Sequence, residues 1–164
     1  MDYRNNFGTE SGGSDGCVNF NDADNTGLAT CITTSTVSTI YQTYCDKVSL
    51  ADFIVIAAEA LMARTATDYN SAAPFTAGTL ATKYRNRFKA GRTTQETCPD
   101  NHGLMPDANA GCSHLEEIFV NHVYAGNGND NAWKLTAAIS GAHTLGSAKT
   151  ENSGFNGHWS TAAE

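Results

Sequence analysis

Hydrophobic residues recur at helical spacing early in the chain, in two consecutive stretches. In residues 29–45 the pattern fits a helix better than a strand, despite many β-branched threonines. In residues 49–64, SLADFIVIAAEALMAR, helix formers predominate, and Ser49 is placed to cap the helix with Asp52 at its third position. Because this second stretch is hydrophobic nearly all round, it predicts a buried helix.

The pattern then lapses over residues 65–111, which contain three prolines and no good helical period. Such a length predicts an irregular connection that carries function or wraps around another part of the protein. Residues 1–28, rich in Gly, Asn and Asp, predict a loop that precedes a single domain over residues 29–164.

Helical spacing resumes in SHLEEIFVNHVYA, residues 113–125. Ser113 and Glu116 form a capping-box pattern there, and the hydrophobic face is supplied by Leu115, Ile118 and Phe119. We interpret His122, on the same helix, as structural. After the turn AGNGNDN, a fourth helix is predicted from about Ala132 towards His143, so the expected fold class is mostly α.

The formal charge of −7 hides a local excess of cations in KYRNRFKAGR, residues 83–92, which holds five of the ten Lys and Arg residues. Nucleic acid is therefore not the expected partner, because phosphate binding needs an extended basic surface. The alternating Lys83, Arg85, Arg87 and Lys89 predict the solvated face of an extended segment, with docking of an acidic group as the alternative.

No hydrophobic run approaches the roughly 20 residues of a membrane span, and the first residues lack the features of a secretory signal. The sequence therefore predicts no particular cellular compartment. The five cysteines show no CxxC pairs that would indicate a zinc site. Cys98 and Cys112 flank a turn-rich loop and are candidates for a disulfide, the alternative being free structural thiols.

Residues 139–146, ISGAHTLG, place His143 among the smallest side chains. A helix brings its backbone close to a flat, rigid body only where side chains are small, so a large planar ligand would explain this composition. Haem is such a ligand, and imidazole is its usual axial donor in proteins that handle peroxide. A packed histidine is the alternative that these eight residues leave open.

The longer string ISGAHTLGSAKTENSGFNGHW resembles the proximal region of the plant-type haem peroxidase superfamily, in its intracellular class of cytochrome c and ascorbate peroxidases. Other stretches match in the same order: FNDADNTGL, SLADFIVIAAEAL, AGRTTQETCPDNHGLMPDA and SHLEEIF. The resemblance implies a partial haem-peroxidase helical fold with a long irregular connection, and haem b as cofactor.

Residue roles follow from the resemblance, position by position. His143 matches the axial iron ligand, and Thr144 matches a position that helps to bind a proximal cation in some members. Trp159 matches an indole beneath the haem that can carry a radical, although an aromatic filling the cavity is the alternative. Lys149 matches a propionate contact or else is a surface lysine.

Two further matches are implied at other points of the chain. Pro106, Asp107 and Ala108 match the turn that passes along the haem edge. Asn25 matches the asparagine whose backbone carbonyl orients the distal histidine.

The chain also departs from the family pattern. The distal Arg-x-x-[Trp/Phe]-His pattern, which moves a proton and stabilises negative charge on peroxide, is absent, and Arg4 and Phe7 do not replace it. The aspartate that accepts a hydrogen bond from the proximal imidazole would lie beyond Glu164. Asn152 stands where an arginine favours ascorbate.

Two functions are therefore expected as alternatives. In the first, a longer protein containing this chain reduces hydrogen peroxide with haem and oxidises an unidentified electron donor, while the chain alone is inactive. In the second, the chain is a non-catalytic subunit derived from a peroxidase, whose exposed hydrophobic face is covered by a protein partner.

Overall fold

A computed structural model describes residues 4–6, 9–11, 13–33, 36–69, 76–98, 105–107, 109–144 and 146–158. The chain forms two compact units, each assembled from separate stretches of sequence. The first, here called the α3 unit, comprises residues 14–19 and 29–98; the second, called the α6 unit, comprises residues 1–13, 20–28 and 99–164. The prediction of one domain over residues 29–164 stays a prediction.

Helices build the described part of the α3 unit. They are α1 (Leu28–Thr33, which begins at the boundary residue), α2 (Thr36–Tyr44), α3 (Leu50–Tyr69) and α4 (Ala77–Arg85). The expected helix over residues 29–45 is thus present as two shorter helices.

The α6 unit combines helices with two small two-stranded antiparallel sheets. Its elements are β1 (Arg4–Asn6), β2 (Thr9–Ser11), a 3-10 turn (Ala23–Asn25), α5 (Gly111–Leu115), a π-helical segment (Glu116–Val123), α6 (Asn129–Ser140), a second 3-10 turn (Gly141–Thr144), β3 (Ser147–Ala148), α7 (Thr150–Ser153) and β4 (Gly157–His158). Strand β1 pairs with β2, and β3 pairs with β4. The predicted mostly α fold class is confirmed. Among the described helices, none combines the length and hydrophobicity of a membrane-spanning segment.

Helix α3 begins as the sequence predicts. The Ser49 hydroxyl accepts a hydrogen bond from the Asp52 amide at 3.1 Å, which satisfies one of the free N–H groups of the first turn. The helix continues five residues beyond the predicted end, to Tyr69. The expectation that it is buried all round is wrong, because Leu61 and Met62 are 67% and 53% exposed.

Two loops of the α3 unit converge on the first turn of α3. Ser14 donates a hydrogen bond to the Ala51 carbonyl at 3.1 Å, and Ser49 donates to the Arg92 carbonyl at 2.7 Å. Gly16 has a φ of +76°, and a Cβ there would come within 2.9 Å of the Ala51 nitrogen. Glycine is therefore required at this point both by the backbone conformation and by the close approach of the loop.

Asp52 is buried and holds the second loop. Its carboxylate accepts hydrogen bonds from the Gly91 amide at 2.8 Å, the Arg92 amide at 3.3 Å and the Arg92 guanidinium at 2.8 Å. The Gly91 amide first, and the Arg92 side chain second, lower the pKa of this carboxyl below its ordinary value. The ionised form is thus the one that the fold stabilises.

This shift predicts the pH dependence of stability. A carboxyl whose pKa is depressed by folding contributes stability above its unfolded pKa, about 3.9, and loses that contribution as the pH falls through the folded value. We expect Asp52→Asn to be less stable than the unaltered chain at pH 7, and the difference to shrink below about pH 4. Urea unfolding between pH 7 and pH 3 measures this. Asp46→Asn, at an exposed position, is the control, and a pH-independent difference for Asp52→Asn would contradict the assignment.

The cysteine prediction is wrong in its pairing. Cys98 forms a disulfide with Cys17, 81 residues away, with the two Cα atoms 5.3 Å apart. Cys112 is free and exposed, as is Cys45. The pairing follows from the fold of the α3 unit, where the Gln95 amide donates to the Asp15 carbonyl and so holds residues 14–19 beside residues 91–98.

The basic segment is also only partly as predicted. The side chains of Lys83, Arg85, Arg87 and Lys89 are exposed, but the backbone is helical through Arg85 instead of extended. Thr76 caps α4 by accepting from the Thr79 amide at 3.3 Å. Lys83 and Arg85 then lie in the last turn of α4, where cations interact favourably with the helix dipole. The irregular connection predicted for residues 65–111 is therefore interrupted by this helix.

The buried hydrophobic residues of the α6 unit lie mainly on the π-helical segment and on α6. Phe119 is 7% exposed and its ring stacks on Tyr124, with ring centroids 6.4 Å apart. Burial of Tyr124 raises the pKa of its hydroxyl. The remaining buried hydrophobic residues of these two elements are Ile118, Val120, Val123 and Ala132.

Two predictions fall on the same helical stretch. The capping box is wrong, because α5 begins at Gly111 and places Ser113 inside the helix, where a residue cannot act as an N-cap. His122 contacts the Glu117 carboxylate through Nε2 at 2.8 Å, which fits the structural role predicted for it. That hydrogen bond is also the main cause of the lowered pKa of Glu117.

Candidate functional site

His143 lies in the 3-10 turn that directly follows α6, and its side chain is exposed. The final turns of α6 carry two hydroxyls that bond back to the helix: Thr136 donates to the Ala132 carbonyl and Ser140 to the Thr136 carbonyl, both at 2.8 Å. Thr136 is buried, so this bond satisfies a hydroxyl that has lost its water. The helix thereby presents His143 at its carboxyl end.

The small residues around His143 have different physical explanations. Gly146 has a φ of +82°, a conformation that side chains other than glycine rarely adopt, so the backbone alone explains this glycine. Gly141 has a right-handed φ of −61°. A Cβ built on Gly141 meets no atom within 4 Å among the described residues. Among the described residues, neither the backbone conformation nor the space at the Cβ position requires glycine at 141, in the turn that carries His143.

Lys149 follows β3 directly and takes the N-cap position of α7 with an extended backbone, φ −119° and ψ 134°. Strand β3 pairs with β4 so that Ser147 lies opposite His158. The Lys149 side chain is exposed. Trp159, the next residue after β4, lies outside the described residues, so its predicted place beneath the haem stays a prediction.

The turn predicted at the haem edge is described in part. Pro106 is half-buried, and the Asp107 carboxylate accepts a hydrogen bond from the Asn109 amide at 2.8 Å. The Asp107 carbonyl accepts from the Ala110 amide, immediately before α5 begins. Asp107 therefore has a local role in shaping the turn. Ala108 lies outside the described residues.

Asn25 ends the 3-10 turn Ala23–Asn25 and is half-buried. Its amide donates to the Asp22 carbonyl at 3.0 Å. Thr144 is the last residue of the 3-10 turn that contains His143, so these two predicted site residues are one peptide bond apart in a single element. All the described members of the predicted site belong to the α6 unit.

The residues around His143 can be compared with what a haem and a free metal ion each require. In the described part of the chain, no three His, Cys, Asp or Glu side chains cluster as they would to hold a metal ion. A haem iron needs one imidazole from the protein on its proximal side, because the macrocycle supplies the four equatorial donors. An exposed His143, in the same turn as Gly141, is compatible with that arrangement.

Comparison with known proteins finds peroxidases that match part of the chain. The chain is 41% identical over 72 residues to L-ascorbate peroxidase 3 of Arabidopsis thaliana, 44% of this chain and 22% of that protein. It is 34% identical over 73 residues to the mitochondrial cytochrome c peroxidase of Yarrowia lipolytica, 44% of this chain and 19% of that protein. Over these segments the chain is homologous to ascorbate and cytochrome c peroxidases, which supports the predicted plant-type haem peroxidase superfamily. A third relative is the cytosolic L-ascorbate peroxidase 2 of Oryza sativa, 36% identical over 74 residues, 45% of this chain and 27% of that protein.

The haem peroxidase homology is partial in extent. The matched segment spans about a fifth to a quarter of the length of the curated relatives, and no protein-family model matches the chain. The relatives include peroxidases named for ascorbate and one named for cytochrome c, so the match itself does not choose an electron donor.

Proposed function

We propose that this chain supplies the proximal haem-binding part of a peroxidase that reduces hydrogen peroxide and oxidises an electron donor. The observation that carries the proposal is the exposed His143 at the carboxyl end of α6, beside a glycine that no described contact requires. The homology to ascorbate and cytochrome c peroxidases supports it. The proposed cofactor is haem b.

The bound haem would supply the redox chemistry; the chain's residues position it. His143 would hold the haem iron as its axial ligand through an imidazole nitrogen, and helix α6 precedes the turn that carries it. Lys149 offers a cation to a propionate, and Trp159 offers an indole for electron transfer. A Thr144 oxygen would help to bind a proximal cation.

The remaining roles concern the edges of the site. Pro106, Asp107 and Ala108 would line the haem edge, with Asp107 shaping the turn through its bond to the Asn109 amide. The carbonyl of Asn25 would orient a distal base. We also propose that the 164-residue polypeptide by itself binds haem weakly and turns over negligibly, because no Arg-x-x-[Trp/Phe]-His pattern occurs in its sequence.

The proposal predicts that His143→Ala removes the axial ligation of added haem. Haem titrated into the unaltered polypeptide should give a Soret band and visible bands typical of histidine ligation. His143→Ala should lose them, since it deletes the donor nitrogen, and free imidazole should restore them in that variant. Absorption spectroscopy and electron paramagnetic resonance of the ferric form measure this.

His158→Ala is the matched control, because His158 is also an exposed histidine of the α6 unit. It should leave the bands in place. Bands that survive His143→Ala would overturn the axial assignment. Peroxide turnover by the 164-residue polypeptide at ordinary peroxidase rates would overturn its proposed inactivity. The absence of any haem-dependent spectrum in the unaltered chain would favour the non-catalytic subunit instead.

A further inference from the structure

A concave surface, away from the candidate haem site, lies wholly within the α3 unit, between α3 and α4. It is a groove of about 310 Å³, within the range of roughly 300–1,000 Å³ that small-molecule sites occupy. Its lining comes from Ile56, Glu59, Ala60 and Ala63 on α3 and from Ala81, Tyr84, Arg85 and Phe88 on or just beyond α4.

The spacing of these residues shows that one face of each helix builds the groove. Helix α3 contributes positions i, i+3, i+4 and i+7 and α4 contributes i, i+3 and i+4, which lie on one side of an α-helix, while Phe88 lies three residues beyond the end of α4. Ala63, one of the lining residues, is only 8% exposed and is therefore packed against other residues. The walls are mainly hydrophobic, with Tyr84 and Phe88 supplying aromatic rings.

One wall of the groove contacts the hydrogen-bond network of Asp52 described above. The Arg92 guanidinium bonds to Asp52 and lies 5.6 Å from the centroid of the Phe88 ring. The Phe88 amide also donates to the Tyr84 carbonyl at 2.9 Å. The ring of Phe88 thus contacts Arg92, and its backbone is bonded to Tyr84, without any ligand bound.

Positive charge borders the groove. Arg85 lines it, and Lys83, Arg87 and Lys89 are exposed on the same segment. None of these four cations takes part in an ion pair with another described residue. Glu59 is the acidic residue of the lining, so the local charge is net positive on a chain whose formal charge is −7.

We propose that the α3–α4 groove binds a small amphipathic organic anion, with a flat hydrophobic body between the helices and a carboxylate at Arg85. Apolar walls favour the body by removing it from water. The guanidinium suits a carboxylate because its N–H groups match the two oxygens. This site goes beyond the proposed peroxidase function and depends on none of its residues.

The probe for the test is 2-naphthoate, with 2-naphthamide as a neutral compound of the same shape. Isothermal titration calorimetry on the full chain should show 2-naphthoate binding about tenfold more tightly than 2-naphthamide, since the anion gains the charge-assisted contact. Arg85→Gln should weaken 2-naphthoate about tenfold and leave 2-naphthamide unchanged. Lys83→Gln, which removes the same charge from the same helix off the groove face, should change 2-naphthoate binding less than about twofold. Glu59→Gln should tighten it about twofold to threefold, since a like charge is removed.

A pair of bulky substitutions separates this groove from the other hydrophobic groove on α3, which lies against α2. Ala81 is exposed and lines the α3–α4 groove but not the α2–α3 groove, whereas Ala58 is exposed and lines the α2–α3 groove but not the α3–α4 groove. Ala81→Trp should abolish binding of both probes, and Ala58→Trp should leave binding intact. Circular dichroism checks that both variants keep their helix content.

Four results would overturn the proposal: no binding of 2-naphthoate, equal binding of the amide, equal effects of Arg85→Gln and Lys83→Gln, or loss of binding in Ala58→Trp alone. The last would place the probe between α2 and α3 instead.

Discussion

Cys17→Ser is expected to lower the free energy of unfolding by about 4.5 kcal/mol at 25 °C, because it opens a loop of 81 residues. The disulfide restricts the unfolded chain more strongly as the loop lengthens. Both cysteines belong to the α3 unit, so the loss should appear in the unfolding of that unit.

The unfolding of the α6 unit can be followed separately from that of the whole chain. Both tryptophans, Trp133 and Trp159, belong to the α6 unit, so their fluorescence reports on it, whereas far-UV circular dichroism reports on all helices. In Cys17→Ser the circular dichroism transition should move to lower denaturant concentration. Cys45→Ser, at a free and exposed thiol, should change stability by less than about 0.5 kcal/mol. Equal stability of Cys17→Ser and the unaltered chain under oxidising conditions would contradict the pairing.

Phe119→Ala is the second large effect, with an expected cost of about 3–5 kcal/mol. The ring is 7% exposed and stacks on Tyr124, so truncation removes buried hydrophobic area and leaves a cavity between packed elements. Here the tryptophan fluorescence transition should shift, since Phe119 belongs to the α6 unit.

Phe20→Ala is the matched control in the same unit. Phe20 is 39% exposed, so its truncation should cost less than half as much as that of Phe119. If the two variants were equally stable, Phe119 would not be part of the core. If the α6 unit also holds haem as proposed, Phe119→Ala should weaken haem binding in parallel with its loss of stability.

The sequence predicted those features of the fold that depend on residues close together in the chain. The Ser49 cap of α3 was predictable because capping needs only residues three apart. Helix α4 was not, since Leu80 is its one buried hydrophobic residue among those whose burial is described, and Gly78 and two threonines weaken the pattern. The Cys17–Cys98 pairing was also out of reach, because it depends on loops that meet at α3 from opposite ends of the unit's sequence.

In the candidate site, too, local features were predicted and features that depend on the three-dimensional fold were not. A helix was predicted from about Ala132 towards His143; the structure contains it as α6, which begins earlier and ends at Ser140, so that His143 lies in the 3-10 turn that follows. Gly146 also has a backbone explanation, its φ of +82°, which the sequence does not reveal; clearance for a planar ligand stays a prediction. The groove between α3 and α4 could not be predicted, since Arg85 was assigned to an extended segment and Glu59 to a buried helix.

The first turn of α3 also bears on the rate of folding. Its contacts come from Ser14 on one side in sequence and from Arg92 and Thr94 on the other, about 40 residues away in each direction. Helical proteins usually fold fast because their contacts are local, and contacts of high sequence separation slow the search. The α3 unit should therefore fold more slowly than its helix content suggests. During synthesis, the contacts of the amino-terminal turn of α3 would not be complete until residues 91–94 have been made.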